Sequence, residues 1–293
     1  MMLSRVPMTV AMVQVPSLMR SCALPIQTSV PPKFTYLFEG IEYGEFEPEH
    51  IVTVDVADKT LLGSLEPYGD KTDFAIDHHA SCRPFAKETW VEGTAGAACE
   101  LIARLIPALG AEITPKIADC LYTGISTDTG CFRYPNASAN TYRIAADLLE
   151  HGANAAEINR LMFDTKSRTA VALLKRLYSD MEFHCDGKCA VFCLTSDVIA
   201  ETGASEDDLD GVSAMVRQVE GVLLGFTLRE REGGVWKVSM RATNPADASV
   251  VCAKFGGGGH KGAAGCSLTG ELEDVKARVV AACGEAIKAL ENK

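Results

Sequence analysis

The run Phe74-Ala75-Ile76-Asp77-His78-His79 decides the fold of this chain. An apolar run that ends in polar, metal-competent residues is the pattern of a buried parallel strand at its C-terminal tip. It follows the turn-like Pro67-Tyr68-Gly69-Asp70. Upstream, Ile51-Val52-Thr53-Val54-Asp55 ends the same way, and downstream Gly124-Ile125-Ser126-Thr127-Asp128-Thr129-Gly130 sets another Asp just past Leu121 and Ile125. Ligands of open α/β sheets sit outside the carboxyl ends of the strands. Three segments thus each deliver a ligand to one sheet edge. Asp55, His78 and Asp128 are the expected metal ligands. Asp77 is expected to orient a ring behind them, and His79 to reach a phosphoryl group. Carboxylates with one imidazole suit Mn²⁺ or Mg²⁺, and neutral imidazole also suits Zn²⁺. Taken alone, Asp77-His78-His79 reads equally as a solvated loop.

Outward from this centre, strands are expected over 51–56 and 73–76. Helices are expected over 94–109 with Thr94 as N-cap, over 115–123 leading into an Asp128 loop, and over 140–151 closed by Gly152. Helices over 155–163 and 169–178 continue the pattern. Alternating strands and helices indicate a parallel sheet. Near Met181 the character changes. Residues 181–185 and 189–194 read as a hairpin, 206–216 as a helix, 221–229 and 235–241 as antiparallel strands, and 272–290 as a final helix. The fold class is α/β in two lobes, an N-terminal parallel sheet flanked by helices and a smaller C-terminal α/β domain with a mixed sheet. The expected boundaries are an atypical N-terminus over 1–35, a first domain over 36–165, a helical linker over 166–180 and a second domain over 181–293.

A chain of 293 residues, 47 % of them hydrophobic, can bury two cores. Its net charge of −11 argues against a protein that coats duplex nucleic acid or a membrane surface. The eleven cysteines are scattered, as buried thiols of a reducing cytoplasm would be. Cys185, Cys189 and Cys193 recur every four residues but straddle Asp186-Gly187-Lys188, which reads as a hairpin turn, not a Zn²⁺ site. Residues 1–35 hold no acid and five prolines, with no clean signal-peptide pattern and no run long enough to span a membrane.

Phe255-Gly256-Gly257-Gly258-Gly259-His260-Lys261 is the most specific local string. Four glycines let backbone approach a ligand and aim N–H groups at an anion. Gly256, Gly257, Gly258, Gly259 and His260 are therefore candidate substrate contacts, and Arg241 a candidate phosphate fork. A flexible linker is the bland alternative.

Together Val54-Asp55-Val56-Ala57-Asp58, Ile76-Asp77-His78-His79, Gly124–Gly130 and the tetraglycine string resemble the DHH phosphoesterase family with its DHH-associated C-terminal domain, in the nano-oligoribonuclease and pAp phosphatase branch. The resemblance implies two lobes with a cleft, two Mn²⁺ ions in the first lobe bridged by Asp55, and substrate held by Arg241 and the glycine string in the second. It implies hydrolysis of short oligonucleotides or 3′-phosphoadenosine 5′-phosphate (pAp), and self-association as a homodimer is a further expectation. The family's first strand, with its His-x-x-Pro-Asp-x-Asp-type motif, has no counterpart upstream of Asp55. That departure implies a lost strand and helix, one metal position nearly bare and reduced turnover. A nucleotide-binding protein without catalysis and a cyclic-dinucleotide phosphodiesterase are the alternative expectations.

Overall fold

A computed structural model describes residues 32–39, 49–209 and 211–291. The expectation of a lost first strand and helix falls on 1–31, outside the described residues. The chain divides into two compact units between Thr165 and Lys166.

In the first unit, β1 (Val52–Val54), β2 (Phe74–Asp77) and β3 (Glu88–Val91) form a parallel sheet in the order β1-β2-β3. Val54 lies opposite Ile76, and Asp77 opposite Val91. The polar residues after β1 and β2 consequently emerge at one edge. Strand β3 is additional to the sequence expectation. A short helix α1 (Glu66–Gly69) precedes β2, and α2 (Ala98–Ala108), α3 (Pro115–Asp128), α4 (Ala139–Glu150) and α5 (Ala155–Asn159) follow β3. Ile76, Leu101, Ile106, Leu121, Ile125, Leu148 and Ile158 fuse the sheet and these helices into one core. A 3₁₀ turn over Pro32–Phe38 packs Phe34 and Leu37 against Cys120 of α3.

Two expectations about the helices are corrected. Helix α2 begins at Ala98 with Ala97 as its N-cap, without a side-chain cap, not at Thr94. Residues 95 and 96 have other partners: His78 Nδ1 lies 3.1 Å from the Ala95 carbonyl, and Gly96 N–H donates to Glu100. Helix α3 does not stop at Thr123 but runs to Asp128. Buried Ile125 continues its apolar stripe, and Ser126 and Thr127 hydroxyls donate to the Thr123 carbonyl without breaking the helix.

In the second unit, β4 (Glu182–His184), β5 (Cys189–Leu194), β6 (Leu224–Arg231), β7 (Val235–Ala242), β8 (Gly258–His260) and β9 (Ala263–Thr269) form one mixed sheet, ordered β4-β5-β6-β7-β9-β8. Only β5 and β6 pair parallel. Helices α9 (Ala248–Ala253) and α10 (Leu272–Glu291) cover one face through Val251, Val275, Val279 and Ile287. Helices α6 (Arg168–Asp180), α7 (Ser196–Thr202) and α8 (Val212–Val216) pack on Ala190, Phe192 and Leu194. Leu173 and Leu177 of α6, in the stretch expected as a linker, are fully buried there. The expected helix over 206–216 is instead a 3₁₀ turn over Asp207–Leu209 followed by α8.

The tetraglycine string is not a free loop. Its second half is the edge strand β8, paired antiparallel with β9 through Gly258–Gly265, Gly259–Ala264 and His260–Ala263. A Cβ on Gly257 would collide with the Gly265 carbonyl and Cys266, whereas one on Gly258 would meet open space. Gly257→Ala should accordingly cost about 1–3 kcal/mol of stability, and Gly258→Ala about 0.5 kcal/mol or less. Chemical denaturation checks this, and equal losses at both positions would contradict the packing described.

Candidate metal centre

Asp55 follows β1 in a left-handed conformation (φ 62°), and its N–H extends the ladder to the Ile76 carbonyl at 2.9 Å. That left-handed turn is costly for a residue other than glycine. Asp77 closes β2 and is fully buried. Its Oδ1 accepts from the backbone N–H of His78 (2.7 Å), the backbone N–H of His79 (3.1 Å) and Nδ1 of His79 (2.7 Å). One carboxylate therefore sets both the turn out of the strand and the rotamer of a histidine ring. Burial raises the pKa of Asp77, but the bonds from His79 outweigh it and hold the group below its ordinary value.

His78 is pinned from the other side. Its Nδ1 faces a carbonyl, which only accepts, so Nδ1 carries the proton. Nε2 then points at carboxylates, 3.2 Å from Asp55 Oδ1 and 3.6 Å from Asp128 Oδ2. Asp128 reaches the same place from the last turn of α3, a helix end where a loop was expected. His79 Nδ1 also lies 3.6 Å from Asp55 Oδ1. Asp55, His78 and His79 offer ligand atoms within 4.8 Å of one another. The structure thus brings Asp55, Asp77, His78, His79 and Asp128 together.

The electrostatics show what this cluster lacks. Burial, then the like charge of Asp55, pushes Asp128 up to about 7. Burial lowers the pKa of His78, but the Asp55 carboxylate outweighs it and pushes the ring up to about 9. Asp55 Oδ1 is buried and accepts no hydrogen bond of good geometry, although Nε2 is near. Two carboxylates and an imidazole lone pair converge, and only a proton or a cation reconciles them. Oxygen and imidazole donors around an unsatisfied buried carboxylate oxygen fit a hard or borderline divalent ion.

Residues that sequence reasoning missed hold this arrangement. Buried Glu100 accepts from Gly96 N–H (3.0 Å) and from the Thr141 hydroxyl (2.6 Å). Asn136 donates to the Gly96 carbonyl (2.9 Å) and to the Asp128 carbonyl (3.2 Å). The loop that fixes His78 is thereby tied to the residue that supplies Asp128. An acid among the apolar residues of α2 was the available signal for Glu100; a lone Asn gives none.

Arg241, the tetraglycine string and His260 belong to the second unit. Register sets Arg241 opposite Ala263, and Ala263 opposite His260. Paired residues share a face of the sheet, so Arg241 and His260 lie on the same face, two strands apart. Gly258 sits on that face beside Gly265.

The metal-free protein should lose stability as pH rises. A raised His78 pKa means a contribution that is full below about 6.5 and lost as pH climbs through about 9. Asp128 is buried at little cost while protonated and destabilises as pH rises from 3.8 through about 7. The two slopes have one sign, so the Tm of EDTA-treated protein should fall across this window, and Asp128→Asn should flatten its lower half. A Tm that rises with pH would contradict the charge arrangement. Separately, Glu100→Ala leaves the Gly96 N–H and Thr141 hydroxyl without their acceptor and should cost about 2–3 kcal/mol in denaturant titration.

Comparison with known proteins fits this geometry. Residues 8–125 match the DHH family, N-terminal domain, and residues 186–289 match the DHHA1 domain. The bifunctional oligoribonuclease and PAP phosphatase NrnA of Thermus thermophilus is 37 % identical over 212 residues, 72 % of this chain and 63 % of that protein. The protein of the same name from Bacillus subtilis is 24 % identical over 80 % of this chain and 75 % of its own length. This chain thus spans less than two thirds of the Thermus relative. A crystal structure of an exopolyphosphatase-related protein from Bacteroides fragilis superposes with a TM-score of 0.74 at 26 % identity, covering 84 % of this chain and 74 % of that one. With a DHH N-terminal domain followed by a DHHA1 domain, the chain belongs to the DHH family.

Proposed function

We propose that this chain is a divalent-metal-dependent phosphoesterase of the cytoplasm that hydrolyses short oligoribonucleotides and pAp, with Mn²⁺ as its preferred ion. The observation that carries the reading is the meeting of Asp55, His78 and Asp128, with His78 Nε2 3.2 Å from Asp55 and 3.6 Å from Asp128 and the buried Asp55 Oδ1 without a hydrogen bond. The names of the Thermus and Bacillus relatives support the substrate class. The ten described cysteines, all free thiols, accord with a reducing compartment.

Asp55, His78 and Asp128 would hold the ion. When bound, it supplies an activated water and neutralises phosphoryl charge. The other roles fall to the chain's own groups. Asp77 locks the His79 ring through Nδ1, which leaves Nε2 to donate to a phosphoryl oxygen. The same bond raises the His79 pKa, although burial opposes it, and so favours the doubly protonated ring that donates from Nε2. Arg241 and His260 would grip a substrate phosphate from their shared sheet face.

The test is release of mononucleotide from a diribonucleotide, and of AMP from pAp, by protein supplemented with Mn²⁺. Turnover should vanish with EDTA. Asp77→Asn should lower kcat/KM roughly 10- to 100-fold, as loss of a residue behind a metal ligand does, and Asp128→Ala should lower it further. Binding of pAp that survives both EDTA and Asp128→Ala, without turnover of either substrate, would make the chain a nucleotide-binding protein instead.

A further inference from the structure

A second group of polar side chains in the DHHA1 unit lies outside everything assigned above. Ser213 of α8, Thr227 and Arg229 of β6, and Lys237 and Ser239 of β7 line a hollow with Leu194, Leu209 and Val212. Ser213 is only 4 % exposed, and its hydroxyl has no hydrogen-bond partner among the described residues. The Nε–H of Arg229 is also buried without a partner. The two Nη groups of Arg229 grip the carboxylate of Glu206, a residue whose side chain is 74 % exposed. Two cations and three hydroxyls thus line the hollow, with no acid among its lining residues.

Two buried orphan donors, Ser213 Oγ and Arg229 Nε, beside an ammonium and two further hydroxyls, call for a ligand rich in acceptors. Burying them unmet costs free energy, and an oxyanion answers guanidinium, ammonium and hydroxyl at once. The Glu206 carboxylate already serves as an internal stand-in for such an anion on Arg229. The two non-bridging oxygens of a phosphodiester are set on a tetrahedral centre, not in the plane of a carboxylate, and offer acceptors to the guanidinium and to the hydroxyls of the hollow.

Register relates this hollow to Arg241. Lys237 lies opposite Arg229, Ser239 opposite Thr227, and Arg241 opposite Gly225. Lys237, Ser239 and Arg241 alternate along β7 on one face. Lys237 and Arg241 are four residues apart, about 13 Å along the strand. An extended oligonucleotide backbone running along this face can meet both cations at successive phosphates.

We propose that the hollow of Ser213, Thr227, Arg229, Lys237 and Ser239 is a phosphate subsite for an oligonucleotide phosphodiester one or more nucleotides away from the phosphate held by Arg241. The inference rests on the oligonucleotide reading above, and it makes chain length, not base identity, the property sensed.

The test compares a pentaribonucleotide with a diribonucleotide as substrates of the wild type, Lys237→Gln and Ser213→Ala in Mn²⁺. Lys237→Gln should lower the pentamer-to-dimer ratio of kcat/KM roughly tenfold, the worth of one charge-assisted contact, through KM and not kcat. Ser213→Ala should lower the ratio less and leave the ligand-free Tm in place, because its hydroxyl has no partner to lose. Fluorescence titration of a labelled pentamer in EDTA reads the same contact without turnover, so a catalytically silent protein still tests the subsite. An unchanged ratio and unchanged pentamer affinity in both variants would overturn the proposal. So would a hollow whose Lys237→Gln variant loses inorganic phosphate binding yet keeps pentamer affinity, since that outcome assigns it to the free ion.

Discussion

One hydrogen bond sets the chemistry of the candidate centre. The Ala95 carbonyl holds a proton on His78 Nδ1, so Nε2 is the nitrogen that faces Asp55 and Asp128 and gives up its proton when a cation takes its place. With the ring turned over, Nε2 would face the Ala95 carbonyl and Nδ1 would be the nitrogen set toward the carboxylates. The carbonyl can hold the ring because the 95–97 segment is kept out of helix α2 by Glu100 and Asn136. The price of that loop is a buried acid, met in full by Gly96, Thr141 and Asn140.

The parallel sheet delivers the remaining parts. Backbone pairing carries Asp55 and Asp77 to one edge, and Asp77 then gathers three N–H groups on a single oxygen. This sets negative charge behind the His79 imidazole and keeps that ring oriented, while the Ala95 carbonyl orients the ring of His78. The second unit uses different physics. There an antiparallel register, not a strand tip, sets Arg241 and His260 on a common face, and close approach of β8 to β9 excludes a side chain at Gly257.

Much of this was legible in the sequence, because apolar runs ending in Asp or Asp-His-His leave few readings. Asp55, His78 and Asp128 stand together, and the hairpin β4–β5 and helix α10 lie near where their patterns put them. The misreadings have physical causes. Glycine content suggests a loop, but β8 is stabilised by pairing with β9, which propensity does not register. The Ser-Thr run at 126–129 suggests a helix end, yet those hydroxyls satisfy helical carbonyls and burial of Ile125 carries α3 onward. Strand β3 is brief and half-exposed, with Thr89 and Trp90 as its only marks. Besides nearer backbone partners, Glu100 reaches Asn140 and Thr141 and Asn136 reaches Gly96, each 40 or 41 residues away, and no local pattern encodes such pairs.

The central claim is that Asp55, His78 and Asp128 hold one divalent cation. Anomalous diffraction at the manganese edge, from crystals grown with Mn²⁺, tests it most directly. The account predicts a peak in contact with all three side chains. A density map with Mn²⁺ elsewhere, or with no ion between His78 Nε2 and Asp55 in saturating Mn²⁺, would contradict it.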